Sequence, residues 1–101
     1  MYKHTFSIGL NDKDTLKQKI SLSKAIKIIS NCVDDCTIKQ GSIGIYTMGN
    51  GRKVIEKSLI VVKFGGTKKE AISIAKTLCK ELNQEAVILE TTRSKCQFIG
   101  R

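Results

Sequence analysis

The sequence predicts an α+β fold in which two helices pack on one face of a four-stranded antiparallel sheet. Hydrophobic periodicity alternates between about two and about 3.6 residues in the order βαββαβ. An Asn-Gly pair predicts a tight turn between the second and third strands, and each helix is preceded by a capping residue. The chain has 101 residues, of which 41% are hydrophobic and 27% charged. This composition is typical of a soluble globular protein, and we expect one domain over residues 1–101.

The first half of the chain predicts a strand, a loop and a helix. Residues 2–10 alternate apolar and polar side chains, which indicates a half-buried strand. Residues 11–19 are polar and predict a loop. Ser21 is placed to cap a helix whose apolar stripe begins at Leu22, and Asp34 with Asp35 ends it.

The middle of the chain predicts a hairpin. Residues 37–48 form a weaker strand, in which Gly41 and Gly44 indicate a bulge or a bend. Asn50 and Gly51 tolerate the positive φ angles of a tight turn. The next strand covers residues 53–64, and it is apolar on both faces from Leu59 to Val62. That pattern predicts a central strand, or a strand whose second face is covered by a partner.

The last third of the chain predicts a helix and a strand. Thr67 and Glu70 form a capping box for the second helix. The final strand is expected over residues 86–99, with a bend near residues 91–94. A βαββαβ order with two right-handed crossovers predicts the ferredoxin-like sandwich.

The formal charge of +9, from 18 basic and 9 acidic side chains, favours an anionic partner. Helical periodicity places most of the helical lysines on one outer surface, and more basic residues follow near the C-terminus. These residues are the candidate site for nucleic acid or a nucleoprotein: Lys24, Lys27, Lys68, Lys69, Lys76, Lys80, Arg93 and Lys95. The alternative is an ordinary solvated face.

The predicted sheet argues against an RNA-recognition motif, because that fold stacks bases on exposed aromatic side chains of its central strands. The third strand instead carries Ser58, Ile60 and Val62 on one face. An open apolar face favours self-association, so a homodimer is expected through these three residues.

No motif predicts catalysis, a metal or a cofactor. Cys32 and Cys79 fall on or beside apolar helical faces, which favours reduced thiols packed as small hydrophobes. His4 is the single histidine and faces inward, as expected for a structural imidazole. The run from Val61 to Thr67 resembles the opening phosphate loop of amino-acid kinases, K-F-G-G-T, but that family has a much longer chain. A non-enzymatic protein is therefore expected.

Two segments carry a wider resemblance, FSIGL at residues 6–10 and LNQEAVIL at residues 82–89. The chain resembles small uncharacterised proteins of bacteria and their phages and mobile elements, a likeness that implies the ferredoxin-like fold. If the protein is phage-encoded, its size and lack of cofactors would suit an inhibitor of a host defence complex such as a CRISPR effector. Without a signal peptide or a membrane segment, a cytoplasmic protein is expected.

Two other functions stay open on the sequence alone. One is a dimeric α+β barrel-type protein or enzyme that binds a small ligand between sheet and helices, in a cavity lined by His4 and a tyrosine or cysteine. The other is a structural protein that assembles through its apolar sheet face.

Overall fold

The computed structural model describes residues 1–100, and its six elements follow the predicted order. The strands are β1 (Tyr2–Gly9), β2 (Cys36–Thr47), β3 (Lys53–Phe64) and β4 (Ile88–Arg93), and the helices are α1 (Leu22–Cys32) and α2 (Lys68–Glu81). The sheet order is β2-β3-β1-β4, and all neighbouring strands are antiparallel. The predicted ferredoxin-like sandwich is confirmed.

The register of the strands separates the sheet into two faces. Phe6 pairs with Val61, and Ile8 pairs with Leu59; all four side chains are buried against the helices. The helices contribute buried residues to the same core, which are Ala25, Ile29, Ala71 and Leu78. The alternate residues, such as Ser7 opposite Ile60, point to the other side of the sheet, which we call the open face.

Both predicted helix caps are present. Ser21 Oγ accepts a hydrogen bond from the Lys24 N–H at 3.2 Å, and Thr67 Oγ1 accepts one from the Glu70 N–H at 3.1 Å. Each cap satisfies an N–H group that has no partner within its helix. Neither helix of residues 1–100 is long and apolar enough to cross a membrane.

The β2–β3 hairpin carries the predicted bulge and turn. The register shifts between Lys39 and Ser42, around Gly41 at φ +82°. At the tip, Gly51 adopts φ +83°, and the Met48 N–H donates to the Arg52 carbonyl at 2.8 Å. The hairpin forms because glycine adopts these positive φ angles without the steric cost of a Cβ atom.

The final strand is shorter than predicted. The sequence predicted a strand over residues 86–99, whereas β4 ends at Arg93. Arg93 pairs with Tyr2, the first residue of β1, so the strand beside β4 supplies no further partners. One more hydrogen bond, from the Ser94 N–H to the Met1 carbonyl at 2.8 Å, follows the ladder. Residues 94–100 then continue without regular structure.

Candidate active site

A cavity of about 400 Å³ opens on the open face of the sheet. Its floor comes from β1, β2 and β3, and its walls come from the β1–α1 loop and from the segment joining α2 to β4. The lining residues are Ser7, Ile8, Gly9, Asn11, Lys13, Leu16, Gly44, Ile45, Tyr46, Glu56, Ser58, Gln84, Glu85, Ala86 and Ile88. Cavities that bind small molecules in proteins measure about 300–1,000 Å³. The size is therefore sufficient for a small organic ligand.

Small residues leave room on the cavity floor for one carboxylate. Glu56 lies on β3, directly opposite Gly44 of β2, and Gly9 of β1 lies beside it. The Glu56 side chain extends over Gly9, and its Oε2 atom accepts a hydrogen bond from the Asn11 N–H at 2.9 Å. A backbone N–H therefore fixes the position of this half-buried carboxylate.

A phenol and a second carboxylate lie near Glu56. Burial raises the pKa of the Tyr46 hydroxyl, and the negative charges of Glu56 and Glu85 raise it further. Tyr46 is consequently a neutral phenol at physiological pH, able to donate a hydrogen bond. One part of the cavity thus combines two carboxylates with an aromatic ring.

Hydrogen bonds between distant segments hold the wall in place. Gln84 Nε2 donates to the Asn11 carbonyl at 2.8 Å, and the Lys13 N–H donates to the Asn83 carbonyl at 3.0 Å. The Asn83 side chain also donates to the carboxylate of Asp12. These bonds join the β1–α1 loop to the end of α2, and they place Lys13 at the cavity edge.

The remaining lining is largely apolar, and no metal site is present in residues 1–100. Leu16, Ala86 and Ile88 supply apolar surface. Within the described chain, no group of three or more His, Cys, Asp or Glu side chains is arranged to hold a metal ion. The chemistry available to the cavity is that of carboxylates, hydroxyls, amides and one ammonium group.

The basic residues predicted from the sequence lie elsewhere. All eight are exposed, and none of them lines the cavity. Lys68 and Arg93 meet beside Tyr2, with Lys68 Nζ 5.5 Å and the Arg93 guanidinium carbon 5.7 Å from the centre of its ring. The other helical lysines project from the layer of helices, on the opposite side of the sheet from the cavity.

The residues predicted for self-association do lie on the open face. Ser58 lines the cavity floor. Ile60 is half-buried, while Val62 is only 6% exposed. Val62 and Phe98 both line a second depression on this face, so the C-terminal segment covers part of the surface. Self-association through these residues stays a prediction.

His4 is a structural residue, as predicted, and it does not line the cavity. It is 1% exposed and lies in the core. Its Nε2 atom is 3.1 Å from the Gly66 carbonyl, and its Nδ1 atom is 2.9 Å from the Thr91 hydroxyl. A carbonyl oxygen only accepts, so Nε2 carries the proton of the neutral ring, and Nδ1 accepts from Thr91. The expectation of a ligand cavity lined by His4 between sheet and helices is therefore wrong in its location.

The cysteines and the kinase-like segment lie outside the lining of the open-face cavity. All four thiols are free and half-buried, and burial raises the pKa of Cys32 and Cys36. Gly65 and Gly66 adopt φ values of +91° and +84° where β3 turns into α2. Gly66 also supplies the carbonyl that His4 contacts, so these two glycines form a turn that packs against the core.

Comparison with known proteins identifies similar structures and no sequence relative. No family model and no curated protein matches the chain. A phage SAM lyase in complex with S-methyl-5'-thioadenosine superposes with a TM-score of 0.74 and 22% identity, over 90% of this chain and 79% of that chain. A phage SAM lyase in the apo state superposes with a TM-score of 0.65 and 24% identity, over 90% of this chain and 78% of that chain.

These comparisons contradict the function predicted from the sequence. A non-catalytic protein that binds nucleic acid or a nucleoprotein was expected, with a CRISPR effector as one example of a target. The two structures described above are of an enzyme, and one of them holds a nucleoside thioether, which favours the alternative of a small-ligand protein or enzyme. The eight basic residues were predicted to bind nucleic acid or a nucleoprotein, so their assignment as a binding site depended on the partner that is now contradicted. The expected likeness to small phage proteins is supported, since both similar structures come from phage.

Proposed function

We propose that this protein is a lyase that binds S-adenosylmethionine in the open-face cavity and releases S-methyl-5'-thioadenosine. The observation that carries the proposal is the Glu56 carboxylate, which the Asn11 N–H fixes on the cavity floor beside Tyr46 and Glu85. The likeness to phage SAM lyase structures supports the same class of ligand.

The charges of the cavity suit a sulfonium nucleoside. S-adenosylmethionine carries a positive sulfur and a positive ammonium group, and Glu56 and Glu85 supply two negative charges. At a separation of about 4 Å and an effective dielectric constant of about 20, such a charge pair attracts by about 4 kcal/mol before desolvation is subtracted. The Tyr46 ring adds a negative π face that favours a cation.

The other lining groups suit the remaining parts of this ligand. Leu16 and Ile88 provide apolar surface for the adenine ring. The hydroxyls of Ser7 and Ser58 are available to the ribose. Lys13, at the cavity edge, is the cation available to the carboxylate of the amino-acid end.

The proposed reaction breaks the bond between the sulfonium sulfur and the γ-carbon of the aminobutyryl group. The electron pair of that bond moves to sulfur, which leaves S-methyl-5'-thioadenosine as a neutral thioether. An oxygen of the substrate's own carboxylate forms the new bond to the γ-carbon and closes a lactone, so no proton moves to or from the protein. Removal of a β-proton is less favourable, because that carbon is not adjacent to a carbonyl group. The protein's part is to bind and orient the substrate.

The substitution Glu56→Gln keeps the size of the side chain and removes its charge. We expect this variant to bind S-adenosylmethionine about 10- to 100-fold more weakly, since a hydrogen bond or contact with a charged group contributes about 1.5–3 kcal/mol. Calorimetry measures the affinity, and chromatography measures the release of S-methyl-5'-thioadenosine.

Glu90→Gln is the matched control. Glu90 is an exposed glutamate of β4, paired with Thr5 on the same face of the sheet but outside the cavity lining. This variant is expected to match the wild-type protein. If the wild-type protein neither binds S-adenosylmethionine nor releases the thioether, the proposed function is wrong.

A further inference from the structure

We infer that Gly9 is a positioning residue, which keeps the Glu56 carboxylate on the cavity floor and thereby lets the site select a cationic ligand over a neutral one. This inference rests on the proposed function for its ligand, whereas the geometry is independent of any ligand. Gly9 ends β1 and pairs with Ser58, two residues along β3 from Glu56.

The Glu56 carboxylate occupies the space above Gly9. A Cβ atom added to Gly9 would overlap the Glu56 carboxylate, with its Oε2 atom only 2.7 Å away. Real Cβ atoms do not approach other heavy atoms so closely, so an alanine here would displace the carboxylate. The displaced group would lose its hydrogen bond from the Asn11 N–H, because that bond is made in the same position.

The backbone of Gly9 gives no other reason for glycine. The positive-φ glycines are Gly41, Gly51, Gly65 and Gly66, so Gly9 lies outside the left-handed region. The atoms that a new Cβ would meet belong to the end of a flexible side chain, which can rotate towards solvent. An alanine at this position therefore moves the carboxylate without requiring the strand to move.

Gly44 offers a matched control on the other side of the same glutamate. A Cβ atom at Gly44 would lie 3.6 Å from Glu56 Cγ, which is an ordinary van der Waals distance. Gly44 also has no positive φ angle. Gly44→Ala adds the same methyl group to the same cavity floor, but it leaves the carboxylate in place.

The position of the Glu56 carboxylate should affect the binding of a cationic ligand more than the binding of a neutral one. A correctly placed carboxylate attracts the sulfonium charge of S-adenosylmethionine, but it gains little from the uncharged sulfur of S-methyl-5'-thioadenosine. The loss of that position should therefore weaken binding of the cation and spare binding of the thioether. A general collapse of the cavity would weaken both.

The test compares the wild-type protein, Gly9→Ala and Gly44→Ala by calorimetry with both ligands. We expect Gly9→Ala to bind S-adenosylmethionine about tenfold or more weakly, as for other losses of a contact with a charged group. Its affinity for the thioether should stay within about twofold. Gly44→Ala also adds a methyl group to the cavity floor, so it is expected to change the affinities for both ligands by the same factor and to keep the wild-type preference for the cation. In a Glu56→Ala background, Gly9→Ala should have no further effect, because the group through which it acts is gone.

A second measurement needs no ligand. In the wild-type protein and in Gly44→Ala, the Asn11 amide should be protected from hydrogen exchange by its hydrogen bond to the Glu56 carboxylate. In Gly9→Ala that protection should be lost. If the wild-type protein binds neither ligand, the proposed function fails, while this exchange measurement still decides whether Gly9 positions Glu56.

Two results would overturn the inference. One is a Gly9→Ala variant that binds S-adenosylmethionine as tightly as the wild-type protein and keeps the Asn11 amide protected from hydrogen exchange. The other is an equal loss of affinity for both ligands, which would indicate a structural role for Gly9.

Discussion

The His4 side chain makes hydrogen bonds to two segments that are distant from it in the sequence. Nε2 donates to the Gly66 carbonyl at the start of α2, and Nδ1 accepts from the Thr91 hydroxyl on β4. A buried polar ring is tolerated where both of its nitrogen atoms have partners, because an unpaired polar group in the core destabilises the fold. His4 therefore stabilises the protein through its packing and through two hydrogen bonds.

His4→Ala is expected to lower the free energy of unfolding by about 2–4 kcal/mol, because it leaves a cavity and removes the partner of Thr91. Urea denaturation measures the change. Lys3→Ala is the control, since Lys3 is the neighbouring residue on the open face and is half-exposed. It should cost less than about 0.5 kcal/mol. Equal losses for the two variants would show that the buried hydrogen bonds of His4 contribute nothing.

His4 and Glu56 differ in how much the sequence reveals about them. Strand alternation alone predicts that His4 faces inward, and the structure confirms it. Glu56 lies between Ile55 and Lys57 in a strand, where a glutamate ordinarily indicates a solvent-facing position. Its place in a cavity depends on segments distant in the sequence, around Asn11 and Glu85, which no local pattern brings together.

At the scale of elements, the β1–α1 loop is held by the segment that follows α2. Asn83, at φ +47°, donates to the carboxylates of Asp12 and Asp14. The Asn83 side chain lowers the pKa of Asp12, with smaller contributions from the backbone N–H groups of Thr15 and Asp14 and from the charge of Lys19, while burial opposes them. The folded loop therefore stabilises the ionised carboxylate of Asp12.

Because the folded pKa of Asp12 lies below 3.8, its contribution to stability is present above that value. It is lost as pH falls through the lower folded pKa. Asp12→Asn should therefore be less stable than the wild-type protein at pH 7, and the difference should shrink below pH 3.8. Chemical denaturation across that range measures it. Asp34→Asn, at an exposed aspartate after α1, is the control. If Asp12→Asn remained less stable than the wild-type protein by the same amount in acid, the Asp12 carboxylate would not be the cause of the difference.

The sequence predicts where the two helices start but not where the last strand ends. Ser21 and Thr67 mark both helix starts, because a side-chain cap is a local interaction written in adjacent residues. The end of β4 depends instead on where β1 begins, since a strand needs a partner at each position. That partner, Tyr2 for Arg93, is distant in the sequence, so the residues around Arg93 do not show where the strand ends.

At the scale of the whole molecule, positive charge and cavity lie on opposite sides of the sheet. The helical lysines surround the outer surface of α1 and α2, whereas the cavity is on the face that the helices do not cover. Exposed charges are screened over about 8 Å at physiological ionic strength. The net charge of +9 should therefore affect solubility and encounters with anions more than the occupancy of the cavity.

Replacing Lys69, Lys76 and Lys80 with glutamate lowers the formal charge by six, from +9 to +3. We expect affinity for S-adenosylmethionine to stay within about twofold at 150 mM salt, because these side chains are screened from the cavity. Calorimetry at two salt concentrations measures it. A tenfold change would mean that the helical surface contributes to the site.

The central position of β1 also has a consequence for how the chain is assembled during synthesis. β1 is the first of the four strands to leave the ribosome, yet its partners β3 and β4 are the last two. The middle of the sheet therefore stays unpaired until most of the chain has emerged, and such distant pairing makes folding slow relative to helical proteins. The sequence has no proline, so no prolyl isomerisation adds a later delay. The nascent chain must therefore protect the apolar strand β1 until β3 emerges, and the sheet is complete only after β4 follows.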